Sequence, residues 1–555
     1  MDPRDPARHS VARENAAAIF SAAAVIGICL FSHVGALGLV GPDEPRYAWI
    51  ARAMARTGDW VTPRLYGSPW FEKPVLYYWA AAIGFALHLP AEWAARLPSA
   101  FAALAAALAL GWLGWRHYGS DDVNGNRFAC SPALLAPIIF STSVAAIGFA
   151  RAATPDMLFS ASIALAMACS ASCLSQAGAL RTATNPAARH EKPPIATLAL
   201  FGAFLGLGVL AKGPAAVILA GGAIGIWALA TSHLRVALRL IHPIAIAAFC
   251  LVALPWYVVC ARRNPDFLHV FIFQHNFERY LTPLFQHQQP FWFFGSIALL
   301  ALLPWTPFLL SAALRGLQIV REGRWKNSPG IFFASWALFP LLFFSLSQSK
   351  LPSYILPAIP PLALLLATAA KFAFARSRAL SSTISLTIAL IWVVLGIVAA
   401  EYFQADAQTA VVNGFMLAVT GVAALLSIYF GCQKNLKALV FTSAFAAAIA
   451  VEIAGASLLP GIDPRLSARE RGKWIDDSAQ TDFYTYRLPR SWNYGLDFYA
   501  GRPLEEWSPE NSGAASLFTT AQGLNELKKL GRFHGSANPR ERGIRYVRIE
   551  PEAIP

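Results

Sequence analysis

The chain of 555 residues is 56% hydrophobic and only 14% charged, with a mean hydropathy of +0.47. Soluble domains carry roughly a quarter charged residues, so an ordinary soluble protein, a disordered chain and a nucleic-acid binder are excluded, and a polytopic membrane protein is implied. The 45 Lys+Arg outnumber the 31 Asp+Glu, and the position of that excess along the chain decides its meaning. Cys29, Cys169, Cys173, Cys250 and Cys260 lie in apolar stretches without any CxxC pair. They read as small buried hydrophobes.

A bilayer core about 30 Å thick needs about 20 apolar residues of helix. Runs of that kind lie at 16–40, 96–115, 131–150, 157–176, 195–211, 213–231, 243–261, 291–312, 330–346, 354–371, 380–400, 411–430 and 436–458. Thirteen spans are therefore predicted. The first run is too long, and too far from a small-residue cleavage site, to read as a removable signal peptide. The run Val75–Pro90 is short and broken by His88 and Pro90, so it is expected to lie in the interface. The positive-inside bias then places the N-terminus in the cytoplasm, because Arg4, Arg8, Arg13, Arg116, Arg181, Arg315 and Arg324 all fall in segments on that side. The other side receives the 41–95 loop, the turns at Asp156, Lys212 and Lys350, the 262–290 loop and the tail.

Two domains are expected: a membrane domain over 1–460, and over 461–555 a small soluble α/β domain on the outer face. In the latter, Asp482–Leu488 and Gly543–Ile549 have strand character and flank a helical Ala521–Leu530.

The first outer loop opens with Gly-Pro-Asp-Glu-Pro-Arg-Tyr at Gly41. Pro45 suits the first turn of a helix, and Asp43 or Glu44 suits its N-cap. Two adjacent carboxylates cannot both cap, so one is left for chemistry. Glu72 and Lys73 stand between aromatic residues where the loop returns to the membrane; an acid beside a base there suits a sugar phosphate, and equally a snorkelling Lys with a solvated Glu. Asp156, Lys212, Lys350 and the group His275, Glu278 and Arg279 lie in outer turns or loops. Ionisable residues near membrane depth are costly and are functional candidates. Their gathering at one interface favours an active site over a transport path, which would place such residues in mid-span; Glu452 is the one found there and reads as a packing residue.

The runs GPDEPRYAWIARAM, GDWVTPRLYGSPWFEKPVLYYW, EWAARLPSA, RAATPDML, LAKGP, HNFERYLTPLFQHQQPFWFF, LPWTPFL and SQSKLPSYILPAIPPLALLL together resemble the bacterial aminoarabinose lipid A transferases. These are relatives of the dolichyl-phosphate-mannose protein mannosyltransferases. The resemblance implies a GT-C glycosyltransferase fold in the bacterial inner membrane, with an active site facing the periplasm and a sugar on undecaprenyl phosphate as donor. It implies Asp43, Asp156 and Glu72 as catalytic residues and Lys73, Lys212, Arg279 and Arg46 around the donor phosphate. Glu44, Tyr47, His275 and Lys350 are expected to bind substrate. Asn276 interrupts the family's His-Phe-Glu-Arg run, so no residue is assigned to a metal; no cofactor is expected, and a divalent cation is left open. Lipid A is the leading acceptor. Alternatives are a protein O-mannosyltransferase-like enzyme and, from a different class, a lipid-linked-sugar flippase.

Overall fold

The computed structural model describes residues 6–119, 128–181, 192–271, 289–402, 407–478, 482–508, 510, 515–529 and 544–549. The chain divides into two compact units, one of residues 1–32, 71–77 and 98–453, the other of residues 33–70, 78–97 and 454–555. The second unit joins most of the first loop to the residues from 454 on.

The first unit is a bundle of apolar helices, and the protein is a multi-pass membrane protein. Among the described residues nine helices are long and apolar enough to cross a bilayer, ten if a bent pair counts as one crossing. Each of the thirteen predicted runs contains helix, but the first is helical only to Phe31, and four others are broken or short. The 131–150 run is two helices, Pro132–Ser141 and Val144–Ala150, bent by 62°. The break falls where Thr142 turns its hydroxyl back to the Ile138 carbonyl and Ser143 caps the second helix by accepting from the Ala146 N–H. The 291–312 run is cut between Phe293–Ala301 and Phe308–Arg321, because Pro304 and Pro307 supply no backbone N–H to continue a ladder. Ala215–Thr231 and Pro329–Ser345 have 17 residues each, about 26 Å of helix, just under the thickness of the apolar core.

Small residues set the closest approach in this unit. The Ile195–Lys212 helix packs on Pro243–Arg263 and on Asp156–Gln176. A Cβ on Gly202 would meet the Ala245 carbonyl oxygen at 1.9 Å, so only glycine allows the two backbones to touch there.

In the second unit the helix Glu44–Thr57 is followed by a hairpin of β1 (Arg64–Leu65) and β2 (Ser68–Pro69). Its two-residue turn, Tyr66-Gly67, has φ of 52° and 85°, the positive pair that suits the twist of a tight hairpin. The helix Leu76–Ala86, 11 residues long, spans only about 16 Å and is too short to cross, as expected for Val75–Pro90. Toward the C-terminus β3 (Phe483–Tyr486), β4 (Glu505–Glu506), β5 (Ala515–Thr519) and β6 (Arg545–Ile549) form a sheet in the order β4-β3-β5-β6. The β3 strand runs parallel to β4 and β5, and β6 antiparallel to β5. One apolar cluster contains Trp507, Leu517, Leu524 and Val547, and another Phe483, Leu496, Phe518 and Ile544. Both expected strands and the Ala521–Lys529 helix are present. The helix Arg490–Tyr499 and the wholly buried β5 carry no alternation or capping signal and went unanticipated.

Candidate active site

In the first unit, Asp156 is the first residue of Asp156–Gln176 and Lys212 the last residue of Ile195–Lys212. Pro155 and Thr154 open the first helix; Gly213, with φ of 88°, closes the second. A carboxylate at a helix N-terminus and an ammonium at a C-terminus both oppose the helix dipole favourably. Because the two helices pack side by side, the ends meet and Lys212 donates a hydrogen bond to Asp156. The Lys212 ammonium also lies 4.9 Å from the Tyr354 ring centroid and 5.7 Å from that of Phe159. Glu72 and Lys73 form a second, mostly buried pair at 3.5 Å, and the charge of Lys73 acts on Asp156 as well. Two acids and two ammonium groups from separate stretches of the chain thus share one electrostatic neighbourhood.

Beside them is an aromatic cluster that local spacing gave no means of finding. Phe71 meets Phe267 at 5.1 Å, Phe267 meets Trp256 at 5.2 Å, and Phe271 stacks on Phe267 at 5.8 Å. The Tyr257 hydroxyl donates to the Val209 carbonyl one turn before Lys212. Lys350 is buried and donates to the Ser347 carbonyl at 2.7 Å, which satisfies a carbonyl just past the Pro329–Ser345 helix. It is thereby engaged with backbone. Arg151 has a similar task, donating to the carbonyls of Ile28, Cys29 and Ser32 at the end of the first helix. Among the described residues no group of three or more His, Cys, Asp and Glu side chains is clustered. His275, Glu278 and Arg279 lie outside the described residues.

In the second unit the two adjacent acids of the first loop have opposite surroundings. Asp43 stands at the N-cap position in helical conformation, and its side chain makes no capping hydrogen bond. Instead it pairs with Arg46 at 2.5 Å and remains 49% exposed. The Arg46 guanidinium is boxed by the rings of Tyr47, Trp70 and Tyr494 at 5.2, 5.4 and 5.6 Å. Stacked and paired in this way, Arg46 holds the Asp43 carboxylate.

Glu44 is buried. It accepts from Arg96 at 2.7 Å and from the Val40 N–H at 2.9 Å; side-chain exposures are 8% for Glu44 and 4% for Arg96. Arg96 further donates to the carbonyls of Val34, Leu37 and Gly38. The pair therefore staples the 34–44 stretch. Tyr47 is buried against Tyr78, with ring centroids 5.9 Å apart. Arg96 lies 52 residues from Glu44, and no local pattern links them.

Further along this unit, Tyr66 donates to Asp497 at 2.5 Å and packs on Trp49 and Tyr494. Burial pushes the Asp497 carboxyl up to about 6, against the hydrogen bonds from Tyr66 and the Leu504 N–H. Burial and the neighbouring Asp497 carboxylate raise the Tyr66 hydroxyl. The Tyr499 hydroxyl, raised by burial and by Glu92 beside it, donates to Glu92 and accepts from the Leu39 N–H.

Over residues 18–271 the chain matches the dolichyl-phosphate-mannose-protein mannosyltransferase family. It is 34% identical over 360 residues to the undecaprenyl phosphate-alpha-4-amino-4-deoxy-L-arabinose arabinosyl transferase of Erwinia tasmaniensis, covering 65% of this chain and 60% of that protein. The enzyme of the same name from Serratia proteamaculans is 34% identical over 345 residues, 61% of this chain and 56% of its own. The matched region thus spans less than two thirds of the curated relatives. In three dimensions the chain is similar to ArnT from Cupriavidus metallidurans bound to undecaprenyl phosphate, with a TM-score of 0.73 at 21% identity over 96% of this chain and 97% of that one. The fold is shared end to end.

Proposed function

We propose that the chain is a membrane glycosyltransferase that takes a sugar from undecaprenyl phosphate and transfers it to an envelope acceptor, lipid A first, at the periplasmic face of the bacterial inner membrane. The observation that carries this reading is the Asp156–Lys212 pair, with Glu72 and Lys73 in the same electrostatic neighbourhood, in a chain 34% identical to an undecaprenyl-phosphate aminoarabinose transferase. In the reaction the bond between the sugar's anomeric carbon and the phosphate oxygen breaks through an oxocarbenium-like state. The phosphate leaves with a growing negative charge, which fixed ammonium groups in a partly dry site stabilise. Lys73 and Lys212 supply that charge, and Arg279 is assigned to it from its motif. Asp156 and Glu72 hold the two lysines and face the sugar cation.

Asp43 acts on the acceptor. For a hydroxyl acceptor it takes the proton as general base; for a lipid A phosphate, already anionic, it orients the acceptor. The chain crosses the membrane thirteen times on this reading, so that 461–555 is periplasmic. Its match to a protein mannosyltransferase family over 18–271 supports a protein hydroxyl as the second acceptor. Mass spectrometry of lipid A and of surface proteins from cells with and without the chain separates the two. A sugar adduct on neither, in cells that make the donor, overturns the transferase reading.

A further inference from the structure

The helix Phe308–Arg321 has an apolar ridge, Leu310, Leu314, Leu317 and Val320, that stays exposed in the fold. The spacing of three and four puts these residues along one face. At the C-terminal end of the same helix is a cavity of about 430 Å³ whose wall includes Arg181, Arg315, Arg324 and Lys371. These cations come from three different parts of the first unit: the segment after Asp156–Gln176, the Phe308–Arg321 helix with its following turn, and the Ile359–Arg376 helix. No acidic side chain is among the described lining residues.

The walls are held in place from behind. Arg315 donates to the Thr368 carbonyl and lies over the Tyr118 ring at 5.9 Å. Asn327 donates to the carbonyls of Gly178 and Ala179 at 3.2 and 3.3 Å, and the Arg181 N–H donates to the Asn327 carbonyl at 3.1 Å. Arg324 is already engaged with Glu322. Basic residues at the ends of spans commonly snorkel outward separately. Convergence of three elements on one cavity is a different arrangement, and a basic pocket between helices at the membrane surface is chemistry suited to a lipid phosphate.

We propose that this cavity binds the headgroup of an anionic glycerophospholipid, with its phosphate among Arg181, Arg315 and Lys371 and its acyl chains along the Leu310–Val320 ridge. The apolar ridge leading out of the cavity is what favours a lipid over a free phosphate ion. The site is separate from the residues assigned to sugar transfer, and the inference stands whether or not that assignment does.

Native mass spectrometry of the full chain, released from nanodiscs of phosphatidylglycerol mixed with phosphatidylcholine, tests it. The expected result is retained phosphatidylglycerol in the parent protein. In Arg181→Gln/Lys371→Gln, occupancy falls at least tenfold, since each cation near a lipid phosphate contributes roughly a fivefold preference. The charge-keeping Arg181→Lys/Lys371→Arg retains the lipid, which separates loss of charge from loss of fold. Arg239→Gln/Arg378→Gln removes the same charge from helix ends outside the cavity and leaves occupancy at the parent level. Equal retention of phosphatidylcholine, unchanged occupancy in the first variant, or displacement of the lipid by millimolar inorganic phosphate overturns the proposal.

Discussion

Asp43 and Glu44 are neighbours with the same charge, and their structural surroundings predict opposite failures on neutralisation. Asp43→Asn removes a half-exposed ion pair with Arg46, worth about 0–1 kcal/mol, and no capping hydrogen bond is at stake. Stability and membrane abundance should therefore stay at the parent level. If Asp43 is the general base, transfer should fall by about 10²–10⁴-fold. Glu44→Gln instead takes the carboxylate partner from the Arg96 guanidinium in a nearly solvent-free site, at a cost of about 3 kcal/mol. Its Val40 and Arg96 contacts also lose their charge-assisted character, so the 34–44 stretch should loosen and the protein should melt earlier. Burial, which adjacent sequence positions do not reveal, sets this order for stability. The assay pairs thermal unfolding of the purified protein with sugar transfer from the polyprenyl donor, scored per folded molecule. Parental transfer by Asp43→Asn, or equal destabilisation by both variants, refutes the reasoning.

Lys73→Ala and Lys212→Ala should each weaken use of the phosphate-linked donor roughly ten- to a hundredfold, the cost of about 1.5–3 kcal/mol for a charge-assisted contact; wild-type donor kinetics would remove them from the site. Lys212→Met should also destabilise the protein by removing the ammonium hydrogen-bonded to Asp156, and adding Asp156→Asn should restore stability without restoring transfer, which thermal unfolding and transfer assays read separately. Asp497 has a folded pKa of about 6, raised from 3.8. Its contribution to stability is thus fully present below about 4 and is lost as pH rises through about 6; Asp497→Asn should flatten that part of the unfolding profile. Reporter fusions at Ser10 and after Pro460 should report opposite sides of the membrane, and a cytoplasmic signal from both contradicts thirteen crossings.

The helical character of the bundle was legible because it is written in runs of about 20 apolar residues, a property of composition over one segment at a time. The positions of Asp156 and Lys212 at helix ends were legible for a related reason: a charge beside Pro or Gly at the edge of an apolar run can belong only to a turn. The fate of adjacent charges was not. Nothing local distinguishes Asp43 from Glu44, and it is Arg96, far along the chain, that claims Glu44 and leaves Asp43 exposed. The same holds for Lys350, drawn to the Ser347 carbonyl, and for Tyr47, buried against Tyr78. Sequence determined which residues could ionise near the membrane surface. Tertiary packing decided which of them became internal staples, because the cost of burying a charge is met only by a partner that the fold, and not the spacing, brings within reach.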